Sequence, residues 1–133
     1  MSPAPPALPK GVPNCLKKRQ LLNDKVLGAD LCREYGRKFL ELGWREDALE
    51  FFKKGGMADE LGELKAYALE TGDAFLLGRL GHQAPEDWRR LGDQALDLGK
   101  LHFARRAFEI AGDDDNTALV AGLIAGQAPP EDS

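Results

Sequence analysis

Two stretches of this chain carry the same order of small and bulky side chains. The first stretch covers residues 29–56 and the second covers residues 85–112. The matching pairs are Gly36 and Gly92, Leu40 and Leu96, Leu42 and Leu98, Gly43 and Gly99, Ala48 and Ala104, Phe52 and Phe108, and Gly56 and Gly112. A register of this length is hard to obtain by chance, so it indicates a duplicated structural unit.

Each copy has the periodicity of two amphipathic helices joined at a glycine. In the second copy the apolar residues at helical spacing are Trp88, Leu91, Ala95 and Leu98, then Leu101, Ala104, Phe108 and Ala111. Gly99 lies where a helix commonly ends in a left-handed residue. Small Gly92 and Ala104 are expected to let the two backbones approach closely. The unit is therefore predicted to be a helical hairpin.

The interval between the two copies is twice the length of one hairpin, which leaves room for a third, degenerate unit. The predicted hairpins are residues 29–56, 57–84 and 85–112, within one helical-repeat domain of residues 13–126. In the middle unit Gly72 ends the first helix and Asp73 caps a short second one, with a register that is off by one. Flanking helices are predicted over Asn14–Leu22 and about 115–125. The predicted fold class is all-α.

The spacing in the second copy resembles the tetratricopeptide repeat, a helix-turn-helix unit of about 34 residues. The matching residues are Trp88, Leu91, Gly92, Ala95, Gly99, Ala104, Phe108 and Ala111. Asn116 stands where that family usually has its terminal proline. The pattern is also similar to the helical repeats of coatomer, clathrin-type and intraflagellar-transport scaffolds. The resemblance implies a right-handed α-α superhelix, a short α-solenoid, that serves as a non-enzymatic adaptor or scaffold for another protein.

The resemblance also implies where a partner would bind, because the first helix of each family hairpin lines the concave face. The corresponding residues are Arg33, Arg37, Glu41, Lys65, Arg89, Arg90, Asp93 and Asp97. Arginines on such a face could hold a carboxylate or an acidic peptide through two parallel hydrogen bonds. The alternative is that they are solvated helix residues paired at i,i+4. The paired asparagines of the family's carboxylate clamp are missing at these places.

Composition and motifs argue against several classes of function. The formal net charge is −4, which argues against a nucleic-acid partner, and the lack of a long apolar run argues against membrane insertion. With no secretory signal, a cytoplasmic location is expected. His82 and His102 lack partners at metal-ligand spacing, and Asp113–Asp115 is interpreted as a helix cap. We therefore expect no catalytic residue, cofactor or metal. Cys15 and Cys32 are expected to be buried thiols.

Both ends of the chain leave alternatives open. Residues 1–12 are rich in proline and predict either a disordered tail or an extended arm that places Leu8 and Val12 on the domain. Residues 127–133 predict a polar tail. The last helix is apolar at Leu119, Val120, Leu123 and Ile124. These side chains are expected either to pack into the preceding hairpin or to form a homodimer contact. A structural or assembly subunit that oligomerises through this helix is the second functional hypothesis.

Overall fold

The computed structural model describes residues 11–127, and these residues form eight α-helices and no strand. The helices are α1 (Cys15–Asn23), α2 (Ala29–Glu41), α3 (Arg45–Gly55), α4 (Ala58–Thr71), α5 (Ala74–Arg79), α6 (Pro85–Asp97), α7 (Leu101–Ala111) and α8 (Asp114–Gln127). The predicted all-α class is confirmed, and most predicted helix boundaries lie close to the observed ones.

The described chain divides into two compact units, one ending at Leu61 and the other beginning at Gly62, and the boundary falls inside α4. The first unit contains α1, α2, α3 and the beginning of α4, and the second contains the remaining helices. The single repeat domain over residues 13–126 stays a prediction. Most of the two predicted tails, including Leu8 of the alternative arm, lies outside the described residues. Gln127, assigned to the C-terminal tail from the sequence, is the last residue of α8.

The duplicated hairpin is present once in each unit. Helices α2 and α6 both have 13 residues, and α3 and α7 both have 11 residues. A methyl carbon built on Gly36 would lie 2.7 Å from Cδ1 of Phe52, and one built on Gly92 would lie 2.9 Å from Cδ1 of Phe108. Both glycines therefore let a buried phenylalanine ring of the second helix pack against the backbone of the first.

The turns inside the two hairpins use the same hydrogen bonds. The Trp44 N–H donates to the Phe39 carbonyl at 2.9 Å, and the Lys100 N–H donates to the Ala95 carbonyl at 2.8 Å. In both cases the intervening glycine has a positive φ, which L-residues with side chains rarely adopt. The sequence register is thus matched by the backbone conformation, as predicted from the matching pairs.

Aromatic rings fill the core of the first unit. The side chains of Phe39, Phe51 and Phe52 are fully buried, and the Phe39 and Phe51 rings stack with centroids 5.7 Å apart. Cys32 is also buried, as expected. Cys15 is exposed, so that part of the cysteine prediction is wrong. The reason is that α1 buries only Leu21 and leaves its first turn in solvent.

The segment between the hairpins contains one long and one short helix. Helix α4 has 14 residues, whereas α5 has only 6 residues. The Asp73 side chain accepts a hydrogen bond from the Leu76 N–H at 3.0 Å, which confirms the predicted cap. Gly72, which follows α4, has the same positive φ as Gly43 and Gly99 but does not lie midway between them in the sequence. The prediction that Gly72 ends the first helix of this segment is therefore confirmed.

The last helix starts at Asp114, close to the predicted start, and packs against α7. The Asp113 carboxylate accepts bonds from the backbone and the side chain of Asn116 at 3.2 and 2.7 Å. This local cap starts the helix at Asp114, ahead of its apolar stretch. Within residues 11–127, no helix has both the length and the apolar character needed to cross a bilayer.

Candidate interaction groove

An open groove of about 800 Å³ lies on the second unit, between α6 and the second half of α4. Its lining residues are Ala66, Leu69, Glu70, Glu86, Arg89, Arg90, Asp93, Gln94 and Asp97. Four residues predicted from the sequence as partner-binding are among them: Arg89, Arg90, Asp93 and Asp97. We refer to this feature as the α4–α6 groove.

The amphipathic pattern of α6 determines which side chains reach the groove. Pro85 occupies the first turn of the helix, where its missing N–H costs nothing. Trp88, Leu91 and Ala95 are buried on one face. The polar side chains from Glu86 to Asp97 recur at spacings of three and four on the opposite face, so they form one continuous wall.

Polar contacts hold the two walls of the groove together at three levels. The Lys65 ammonium lies 3.0 Å from the Asp87 carboxylate. The Gln94 side-chain amide donates to the Glu70 carbonyl at 2.8 Å, and the Lys100 ammonium donates to the Thr71 carbonyl at 2.5 Å. Residues later in α4 contact residues later in α6 and just after it, so the two helices run in the same direction here.

Near Gly72, just after α4, the two walls also approach closely. A methyl carbon built on Gly72 would lie 2.7 Å from the Ala95 Cα. Any side chain at position 72 would therefore push the end of α4 away from α6. Close backbone packing between Gly72 and Ala95 therefore joins the two walls at this end of the groove.

Charge in the groove is unevenly balanced. Its lining contains four carboxylates, from Glu70, Glu86, Asp93 and Asp97, and two guanidinium groups, from Arg89 and Arg90. The Arg89 Nε lies 4.0 Å from the Asp113 carboxylate.

Asp113 is itself held as a carboxylate. Hydrogen bonds from the side chain and then the backbone of Asn116, followed by the charge of Arg89, lower the pKa of Asp113. The charge of Arg89 is therefore partly taken up inside the chain. Arg90, Asp93 and Asp97 make no ion pair or hydrogen bond with other side chains of residues 11–127.

The remaining predicted binding residues lie elsewhere. Arg33 Nε and Arg37 Nη2 lie 3.2 and 3.0 Å from the same carboxylate oxygen of Glu60. The Glu60 side chain is only 7% exposed. Lys65 is engaged with Asp87, as described above, and Glu41 is exposed at the end of α2.

Glu60 is one of the residues that were not predicted from the sequence, as are Glu70, Glu86 and Gln94 of the groove. A hydrogen bond from its own backbone N–H lowers the pKa of Glu60, and the bond from Arg37 and the charge of Arg33 add to this and outweigh burial. A recurring separation in the sequence could have pointed to Glu60. Basic residues on α2, α4 and α6 pair with acidic residues 22 to 27 positions further along the chain. That interval is slightly shorter than the predicted repeat.

The apolar side chains of α8 divide between the core and the surface. Val120 is fully buried and Ile124 packs against the core of the second unit. Leu119 and Leu123 are 54% and 46% exposed. A shallow depression of about 440 Å³ lies beside Leu123 and is also lined by Leu96, Leu101, Gly122, Gly126 and Gln127. Of the four apolar residues predicted as an oligomer contact, the two exposed leucines are the ones that another chain could reach.

Within the part of the chain that the structure describes, no three His, Cys, Asp or Glu side chains converge as a metal site would require. Comparison with protein-family models, with characterised proteins and with solved structures finds no match for this chain.

Proposed function

We propose that this chain is a protein-interaction module, an adaptor or scaffold of the tetratricopeptide or coatomer kind, which binds a segment of another protein in the α4–α6 groove. One observation carries the proposal: four residues chosen from the sequence as partner-binding line a single groove whose walls are tied together. The finer architecture that goes with it is a right-handed α-α superhelix.

The shape and chemistry of the groove favour a peptide segment over a small ligand. It is open along its length, and its apolar floor consists mainly of Ala66 and Leu69. Small-molecule sites are typically enclosed and mostly apolar, whereas helix-binding grooves have an apolar floor and a polar rim. A helical segment with one apolar edge fits this arrangement.

Photo-crosslinking in the source cells tests the proposal. A photoreactive phenylalanine analogue replaces Arg90 in the groove, and the control places it at His102, which is exposed on α7. The expected result is a crosslinked protein that is captured from position 90 and not from position 102. Ala66→Trp fills the groove without changing its charge and should abolish that crosslink. Equal capture from both positions, or capture that ignores Ala66→Trp, would refute the proposal.

A second candidate function is that of an assembly subunit that self-associates through α8. The supporting observation is that Leu119 and Leu123 are half exposed on one helix, beside a shallow apolar depression. Sedimentation velocity over a hundredfold range of concentration tests it. Self-association should appear and should be lost in Leu123→Glu, whereas a concentration-independent monomer would eliminate this candidate.

A further inference from the structure

We infer that the α4–α6 groove selects a positively charged helical segment, and not the acidic peptide that the arginines of the sequence suggested. This inference rests on the proposed function, since it names the chemistry of the partner for the same site. The observation behind it is the excess of carboxylates in the groove, together with the internal engagement of Arg33, Arg37 and Arg89, three of the four arginines that were expected to bind acids.

Three of the arginines that were expected to bind an acidic partner already lie beside acidic side chains of this chain. Arg33 and Arg37 share Glu60, and Arg89 lies beside Asp113. An incoming carboxylate would have to displace these internal acids before it gained an arginine. Arg90 is the one arginine of the groove that has no acidic partner among residues 11–127.

Carboxylates without a cationic partner cluster at one end of the groove. Asp93 and Asp97 are one helical turn apart on α6, and Glu70 faces them from α4. Asp93 and Asp97 are exposed and have no cationic partner within the described chain. Lys100 lies toward the same end, but its ammonium is already bound to the Thr71 carbonyl. Lysine or arginine side chains of a partner would meet unpaired negative charge at this end.

The length of the groove and the contacts between its walls indicate the kind of segment that fits it. The wall from Glu86 to Asp97 spans about 16 Å at the helical rise per residue, which corresponds to about three turns of a bound helix. Because the contacts of Lys65 and Gln94 already fix α4 against α6, little ordering of the groove is needed on binding. The expected partner segment is therefore a helix of about three turns, with small apolar residues on one edge and basic residues beside them.

Fluorescence anisotropy with two designed peptides tests the inference on the full-length chain. Both peptides are labelled helices of about four turns with alanine and leucine on one edge, and they differ only in carrying lysine or glutamate on the other positions. The lysine peptide should bind and should bind more weakly as salt is raised, because surface charge is screened. The glutamate peptide should not bind.

Paired variants then locate the charge. Asp93→Asn with Asp97→Asn should weaken the lysine peptide about fivefold to tenfold, as expected for the loss of two partly exposed ion pairs. Glu46→Gln with Asp59→Asn removes the same charge from exposed positions of the first unit and should change affinity less than about twofold. Circular dichroism of each variant checks that its helices are retained.

The possible outcomes separate the inference from the proposed function. Preferential binding of the glutamate peptide, binding of neither peptide, or equal weakening by the two variant pairs would overturn the positive-segment inference. The proposed function falls separately, if the crosslink from position 90 does not depend on Ala66. A crosslinked partner whose captured segment is acidic would leave the interaction module intact and refute only its charge preference.

Discussion

The close contact between a glycine and a phenylalanine ring in each hairpin gives the sharpest prediction about stability. Gly36→Ala places a methyl carbon 2.7 Å from Cδ1 of Phe52, and the ring is fully buried. Carbon atoms prefer separations of about 3.5 to 4.0 Å, so the ring or the helix must move. We expect the variant to be less stable than the wild type, and Gly92→Ala to behave alike because Phe108 repeats the contact.

The expected change in the free energy of unfolding combines two opposing effects. Overpacking a core costs about 1–3 kcal/mol, and a close contact with a fully buried ring belongs at the upper end. Replacing glycine by alanine inside a helix contributes about 1 kcal/mol in the other direction. The net loss in the free energy of unfolding should therefore be about 2 kcal/mol for Gly36→Ala and for Gly92→Ala. For a chain of this size that corresponds to a fall in Tm of roughly 6–10 °C.

Urea denaturation followed by circular dichroism measures the effect, and the chain supplies a matched control. Gly62 also lies within a helix, but a methyl carbon built there would have no atom within 4 Å apart from its chain neighbours and the backbone of its own helix. Gly62→Ala should stabilise the protein by about 0.5–1 kcal/mol. In the double variant Gly36→Ala with Phe52→Leu, the two effects should be less than additive because the smaller side chain leaves room. The reasoning is wrong if Gly36→Ala is as stable as Gly62→Ala.

Two further predictions concern polar contacts. Because the pKa of Glu60 is lowered in the folded chain, its contribution to stability is present above its unfolded pKa of about 4.3 and is lost as pH falls through the folded value. Urea denaturation should therefore show Glu60→Gln less stable than the wild type at neutral pH and equal to it in strong acid, below both pKa values. A difference in the free energy of unfolding that persists in strong acid would contradict the ion-pair explanation. Glu63→Gln, at an exposed position of α4, is the control and should have little effect at neutral pH. Asp73→Ala removes the cap of α5 and should lower the free energy of unfolding by about 1 kcal/mol. Asp73→Asn keeps a capping oxygen and should retain most of the stability. Equal losses of stability in the two variants would show that the cap is unimportant.

The helices were predictable because their signals are local or periodic. The register of Gly36 with Gly92, the cap at Asp73 and the glycine turns all follow from residues that lie close together in sequence or recur at a fixed interval. The start of α8 was predicted from the acidic run Asp113–Asp115, because its apolar pattern alone would have placed it later. Apolar periodicity begins at Ala118, whereas the helix is started by the cap that Asp113 forms with Asn116.

The partners of the charged residues were not predictable in the same way. Glu60 receives two arginines from another helix, and nothing in its own neighbourhood of the sequence marks it. The groove was anticipated on the α6 side, through Arg89, Arg90, Asp93 and Asp97. Its second wall was not, because Glu70 faces α6 only after the degenerate middle segment has folded. The sign of the groove's charge therefore emerged only from the structure.

The duplicated hairpin underlies the whole account, and solution NMR tests it most directly. The α protons of Gly36 and Gly92 should both show ring-current shifts, together with nuclear Overhauser contacts to the rings of Phe52 and Phe108 respectively. The same pattern at both glycines is the predicted result. Contacts at one glycine and none at the other would contradict the duplication, and with it the assignment of α6 as the binding wall.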